Sequence, residues 1–147
     1  MDTERPTNDD QDREHVAAFA VASTMFAAYC HALDSGSPHD LRQLFADDAV
    51  LELADVTHQG VDAIAASYDG FFASTGRTTR HHITNVRVVD SGPTITAEAY
   101  LLVVTSRDGR LSLASGSYAD MFVRVDDRWR IARKRIALAI PFTRLTP

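Results

Sequence analysis

The chain holds three side-chain types suited to moving protons, at Asp34, His81 and Tyr29. Asp34 follows a long apolar-periodic run. Read on residues alone, it is either the turn residue of the break Asp34-Ser35-Gly36-Ser37-Pro38 or an acid held at the mouth of a cavity. His81 and His82 are adjacent in a β-rich run, so their side chains point to opposite faces. Only one of them can enter a pocket, and the two cannot chelate one metal together. Tyr29 lies on the flank of the helical stripe, where a phenol serves equally as an amphipathic core-edge aromatic. Lys134 belongs to the basic run Arg128, Arg130, Arg133, Lys134, Arg135, which reads either as a solvated strand face or as an anion handle. The sequence has no phosphate loop, no His-Glu-x-x-His, no nucleophile elbow and no dinucleotide fingerprint, so neither a metal nor a cofactor is expected.

The elements that must position these residues come in two blocks. A helix is predicted over Arg13–Leu33, with Val16, Phe19, Phe26 and Cys30 at helical spacing. A short helix carrying Leu41, Leu44 and Phe45 follows, ended by Asp47-Asp48, then a brief strand over Val50–Leu53. Gly60 opens a third helix with Ile64, Tyr68, Phe71 and Phe72 on its apolar side. From Thr79 the period changes to two. Strands are predicted over Thr79–Val89, Thr94–Thr105, Arg110–Val125 and Arg128–Ile140, separated by Asp90-Ser91-Gly92-Pro93, Asp108-Gly109 and Asp126-Asp127. Helices first and an antiparallel meander afterwards give an α+β domain with helices on one face of the sheet. Strands of this length must curve, and a curved sheet covered by helices leaves a pocket. On the third long strand Ser112, Ala114, Gly116, Tyr118 and Asp120 share one face, small and polar enough to line it.

Composition narrows the partners. With 147 residues, 45% apolar and 24% charged, one soluble domain suffices. The formal net charge of −5 argues against nucleic acid, and the single Cys30 excludes an intrachain disulfide. Residues 1–12 are acidic and polar and read as a disordered N-terminal arm, without the apolar stretch of a signal peptide. No apolar run is expected to reach the roughly 20 residues that span a bilayer. A cytoplasmic location with no membrane partner is therefore expected.

Several strings resemble the SnoaL-like branch of the nuclear transport factor two superfamily. They are Tyr29-Cys-His-Ala-Leu-Asp34-Ser-Gly36, Phe45-Ala-Asp-Asp-Ala49, Thr79-Arg-His81-His-Ile-Thr-Asn85, Gly116-Ser-Tyr118-Ala-Asp120 and Trp129-Arg-Ile131. The resemblance covers residues 13–147 and implies a cone-shaped barrel, a curved antiparallel sheet with N-terminal helices packed over a pocket. The branch includes scytalone dehydratase, bile-acid dehydratase and hexachlorocyclohexane dehydrochlorinase. By similarity to these lyases, Asp34 and His81 are expected to pair, with His81 as base and Tyr29 as a further catalytic group. Tyr118, Asn85, Lys134, Phe26 and Leu53 are expected around a small-molecule substrate. Thr105 stands where the scytalone enzyme has a second histidine, and Leu53 near the general-base aspartate of the ketosteroid isomerases, so neither chemistry transfers whole. The resemblance implies cofactor-free dehydration, isomerisation or cyclisation of an apolar polyketide- or terpenoid-like molecule. A non-catalytic ligand-binding or assembly subunit, or an epoxide hydrolase-like enzyme, are the alternatives. An outer sheet face carrying Leu101, Val103, Leu111 and Leu113 suggests a homo-oligomer, a dimer first of all.

Overall fold

The computed structural model describes residues 7–145. Helix α1 spans Asn8–Ser35. It starts earlier than its apolar pattern because Thr7 and Asp10 form a capping box, each backbone N–H donating to the other's side chain at 3.3 Å. Residues 8–12 of the expected arm are thus helical, and residues 1–6 lie outside the described residues. The buried stripe runs through Ala18, Ala22, Phe26, Tyr29 and Leu33, whereas Val16 and Phe19 face solvent. Contrary to the sequence reading, α1 is long and apolar enough to cross a membrane. In this fold, however, 44% of its apolar window is buried, as in a core helix.

After α2 (Pro38–Leu44) the chain enters β1 (Phe45–Leu53) and β2 (Val56–Gln59), then α3 (Val61–Ser67) and the single turn α4 (Asp69–Phe72). Phe45 and Asp47-Asp48 are strand residues, because β1 pairs in parallel with the last strand from Phe45 onward. The meander follows as β3 (Arg77–Ser91), β4 (Thr94–Arg107), β5 (Arg110–Val125) and β6 (Arg128–Arg144). The six strands lie in the order β2-β1-β6-β5-β4-β3, so the sheet is curved but open at both edges rather than a closed barrel. Strand β6 runs through Pro141, past the expected end at Ile140. Its pairing with β1 stops at Ile136, so the missing N–H breaks no ladder on that side.

Bulges bend the sheet over α1. Between β5 and β6 the register shifts around Gly116, where an added Cβ would lie 2.0 Å from the Ala137 carbonyl oxygen. Only glycine permits that approach. In β3 the register shifts between Thr84 and Arg87, with Asn85 at φ 55°. This changes the phase of the strand. His81 and Ile83 face inward before the bulge, Val86 and Val88 after it, and Asn85 is turned out to solvent. Asn85 therefore does not share the His81 face as expected; it lines a separate hollow of about 470 Å³.

The outer face also differs from the sequence reading. Leu101 and Val103 are buried on the inner face, and Tyr100 (62% exposed) and Leu102 (39%) occupy the outer one beside His82. A dimer remains a proposal, now resting on Tyr100 and Leu102. If copies meet here, light scattering should find a dimer for the parent chain and a monomer for Leu102→Glu. A monomeric parent at micromolar concentration counts against the pairing.

Candidate active site

The site begins where α1 stops. Gly36, left-handed at φ 70°, ends the helix by donating to Leu33 O at 3.2 Å, while Ser37 N–H donates to Ala32 O at 3.0 Å. Asp34 is thereby held in the last helical turn and is not a free turn residue. Both its oxygens grip β3. Oδ2 accepts the His81 backbone N–H at 3.0 Å, and Oδ1 lies 2.6 Å from His81 Nδ1. An ionised Asp34 can only accept, so Nδ1 carries the proton and Nε2 keeps its lone pair. The two side chains are only 12% and 7% exposed. Burial holds the His81 pKa below its ordinary 6.5, against the pull of Asp34 and with help from Lys134 and Arg77. His81 is thus a neutral base near pH 7.

The imidazole opens into a cleft of about 540 Å³. Phe71 flanks the ring at 6.3 Å between centroids. Thr79 and Thr105, cross-strand neighbours with hydroxyls 3.3 Å apart, line the wall beside it. His82, one residue on, pairs with Leu102 on the exposed outer face. A second hollow, of about 590 Å³ and lined by residues such as His39, Arg42, Asp47 and Asp126, contains neither Asp34 nor His81. Among the described residues no three His, Cys, Asp or Glu side chains converge as metal ligands would.

The other residues expected around substrate are placed differently. Leu53 is 38% exposed at the end of β1, paired with Val56 at the far side of the sheet. Tyr29, Tyr118, Phe26 and Lys134 do meet, but in a sealed layer and not on the cleft wall. The Lys134 ammonium sits 3.5 Å from the Tyr118 ring centroid and 4.0 Å from that of Tyr29. It donates to Asp120 Oδ2 at 2.9 Å, and both residues are fully buried. Tyr29 OH is hydrogen-bonded to Tyr68 OH. Burial raises the phenols of Tyr29 and Tyr118 well above the usual range, so both stay protonated. The enclosed cavity expected under the sheet is filled by these side chains.

The sequence reading did not assign Arg77, Arg107, Arg110 and Arg144, which line the cleft, to the site, although it did put Ser112 on a strand face that could line a pocket. Two-residue alternation back from His81 passes through Thr79 to Arg77. The Asp108-Gly109 turn sets Arg107 opposite Arg110. Both signals are in the sequence, but they name wall residues only once the strand register is known.

Residues 15–135 match the family model described as a SnoaL-like domain. Solved structures share the fold. A Novosphingobium aromaticivorans protein described as a proposed scytalone dehydratase is 20% identical, with a TM-score of 0.81 over 92% of this chain and 93% of that one. A hexachlorocyclohexane dehydrochlorinase, LinA type 2, is 18% identical, with a TM-score of 0.77 over 92% and 93%. A Catenulispora acidiphila protein solved in complex with S-DNPA is 26% identical, with a TM-score of 0.75 over 84% and 94%. No curated protein sequence matches the chain.

The sealed layer sets a stability test. Asp120 Oδ1 is buried without a partner, and burial pushes the Asp120 carboxyl up to about 6 against the opposing pull of Lys134. Lys134→Met should strand the carboxylate and cost about 3–5 kcal/mol in urea unfolding near neutral pH. Adding Asp120→Leu should restore most of that loss. A destabilisation that the second substitution leaves untouched would show that the ammonium acts through packing alone.

Proposed function

Because the chain belongs to the SnoaL-like domain family, we propose that it is a cofactor-independent lyase acting on a small apolar molecule, with His81 as base and Asp34 as the residue that orients it. The observation that carries the proposal is the 2.6 Å contact between Asp34 and His81 Nδ1, with Nε2 left without a side-chain partner among the described residues and His81 lining a cleft. The similarity to a named dehydratase and a dehydrochlorinase supports elimination as the reaction class, and the S-DNPA bound to the Catenulispora relative supports a small-molecule ligand.

In a dehydration, Nε2 takes a proton from the carbon next to a carbonyl. The C–H electron pair becomes the new double bond as the neighbouring C–O bond breaks. The departing hydroxide takes the proton held by the imidazolium and leaves as water. Asp34 fixes the tautomer before the step and faces the imidazolium during it. Tyr29 and Tyr118 lie beneath the wall, so hydrogen bonding to the leaving oxygen falls to Thr79 and Thr105. Isomerisation needs the same base, with the proton returned to a different carbon.

A panel of β-hydroxyketones, followed by loss of water, gives the assay. His81→Ala and Asp34→Asn should each lower turnover about 10²–10⁴-fold, and the double variant little further. His82→Ala should be nearly silent. Equal and small effects at His81 and His82 remove the base from the mechanism. The pH profile carries its own sign. Neutral His81 is the active form and its pKa is depressed, so kcat/KM should be level near pH 7 and fall only as pH drops below 6.5. An acidic limb above pH 6.5 contradicts that assignment.

A further inference from the structure

The register of the sheet arranges the cleft wall in three rungs. His81 faces Val103 on β4, which faces Ala114 on β5. One rung outward, Thr79 faces Thr105, Thr105 faces Ser112, and Ser112 faces Arg144 on β6. On the outermost rung Arg77 faces Arg107, and Arg107 faces Arg110. Chemistry therefore changes along the wall from a base, through hydroxyls, to guanidinium groups. Four residues per strand separate His81 from Arg77, which is roughly 13 Å at the rise of a β-strand.

Four arginines around one cleft are unexpected in a chain of net charge −5. Among the described residues, none of the four has a carboxylate within 4.0 Å, whereas Arg42, Arg87, Arg124 and Arg133 each have one. Asp108 is the one acid on the cleft lining, in the turn between Arg107 and Arg110, and it makes no ion pair with them. Arg77 is held by its donation to the Phe71 carbonyl at 2.6 Å, with its guanidinium 3.9 Å from the Phe71 ring centroid. It is part of the wall, and burial first, with the like charge of Arg107 second, lowers its pKa. Like charges gathered without counterions raise the local potential and favour an anion between them.

We infer that the substrate carries a carboxylate at the end remote from the reacting carbon, and that Arg107 and Arg110, backed by Arg77 and Arg144, hold it while the apolar skeleton lies along the threonine rung toward His81. The inference rests on the lyase reading for the role of His81, and adds the class of molecule on which it acts. The carboxylate sets the register: bound at the rim, it fixes how far the skeleton reaches toward Nε2.

Equilibrium binding tests this independently of turnover. Calorimetry near neutral pH compares ω-phenylhexanoate with its uncharged amide. The acid should bind about tenfold more tightly than the amide, the worth of one charge-assisted hydrogen bond. The exposed pair Arg107→Ala/Arg110→Ala should erase that preference and leave amide binding unchanged. Arg110→Glu should reverse it, and added salt should weaken only the acid. Equal binding of acid and amide, no saturable binding of either, or a preference that survives the double arginine variant overturns the inference. His81→Ala separates the two readings. If it keeps the acid preference while turnover is lost, both stand; if it keeps turnover and preference alike, the anion site stands and the lyase mechanism falls.

Discussion

The fold depends on how it accommodates one lysine. Lys134 has no exposed surface, and its ammonium lies over two tyrosine rings with a single carboxylate partner. A charge in such a place is tolerated only if partner and rings replace lost hydration, so Asp120, Tyr29 and Tyr118 must all be in position together. Phe26 closes the layer, stacked on Tyr118 with centroids 6.1 Å apart. The space that a curved sheet creates beneath α1 is thereby filled. The cleft that His81 lines is at the open end of the strands. Function follows from that: a site at the rim is lined by strand ends and hairpin turns, where arginines remain hydrated at little cost.

A second constraint ties helix to sheet at that rim. Asp34 spends one oxygen on the His81 backbone and the other on its ring, so a single carboxylate fixes both the approach of α1 to β3 and the tautomer of the imidazole. The Gly36 cap makes this possible. Without a left-handed residue there, the last turn would lose its cap and could fray, releasing Asp34. Position in the fold and chemical role are the same contact at this residue.

Much of this was legible in the sequence because it depends on local rules. The Asp90–Pro93, Asp108-Gly109 and Asp126-Asp127 breaks placed the three hairpins of β3–β6 within a few residues. Alternation put His81 and His82 on opposite faces. What was not legible depends on non-local geometry. The bulge at Asn85 inserts a phase change that alternation cannot anticipate, and it moved that residue off the face that His81 shares. The parallel pairing of β1 with β6 joins segments far apart in sequence and took Leu53 to the remote side of the sheet. Lys134 stands in a basic run that reads as a solvated face or an anion handle, and the structure makes it neither: it is fully buried between the exposed Arg133 and Arg135. Only the distant Asp120 on β5, its cross-strand partner, explains why it turns inward. The family resemblance named residues that converge in this chain, but it could not say which of them would end beneath the wall.

For the proposed lyase, the electrostatics of the rim are arranged around a transient charge. Burial and two cations keep His81 neutral at rest, which is the state a base requires. The imidazolium formed on proton transfer would be unfavourable in the same surroundings without compensation. Asp34 supplies most of it at 2.6 Å, and the carbonyl end of α1 adds partial negative charge from the same direction. Arg77 acts in the opposite sense, whereas Arg107, Arg110 and Arg144 are exposed on the outer part of the cleft, so their field at the ring is screened. An anion bound among them would weaken even that. Bound acid would then favour the imidazolium as well as fixing the skeleton, coupling the occupancy of the rim to the ease of proton transfer at its inner end.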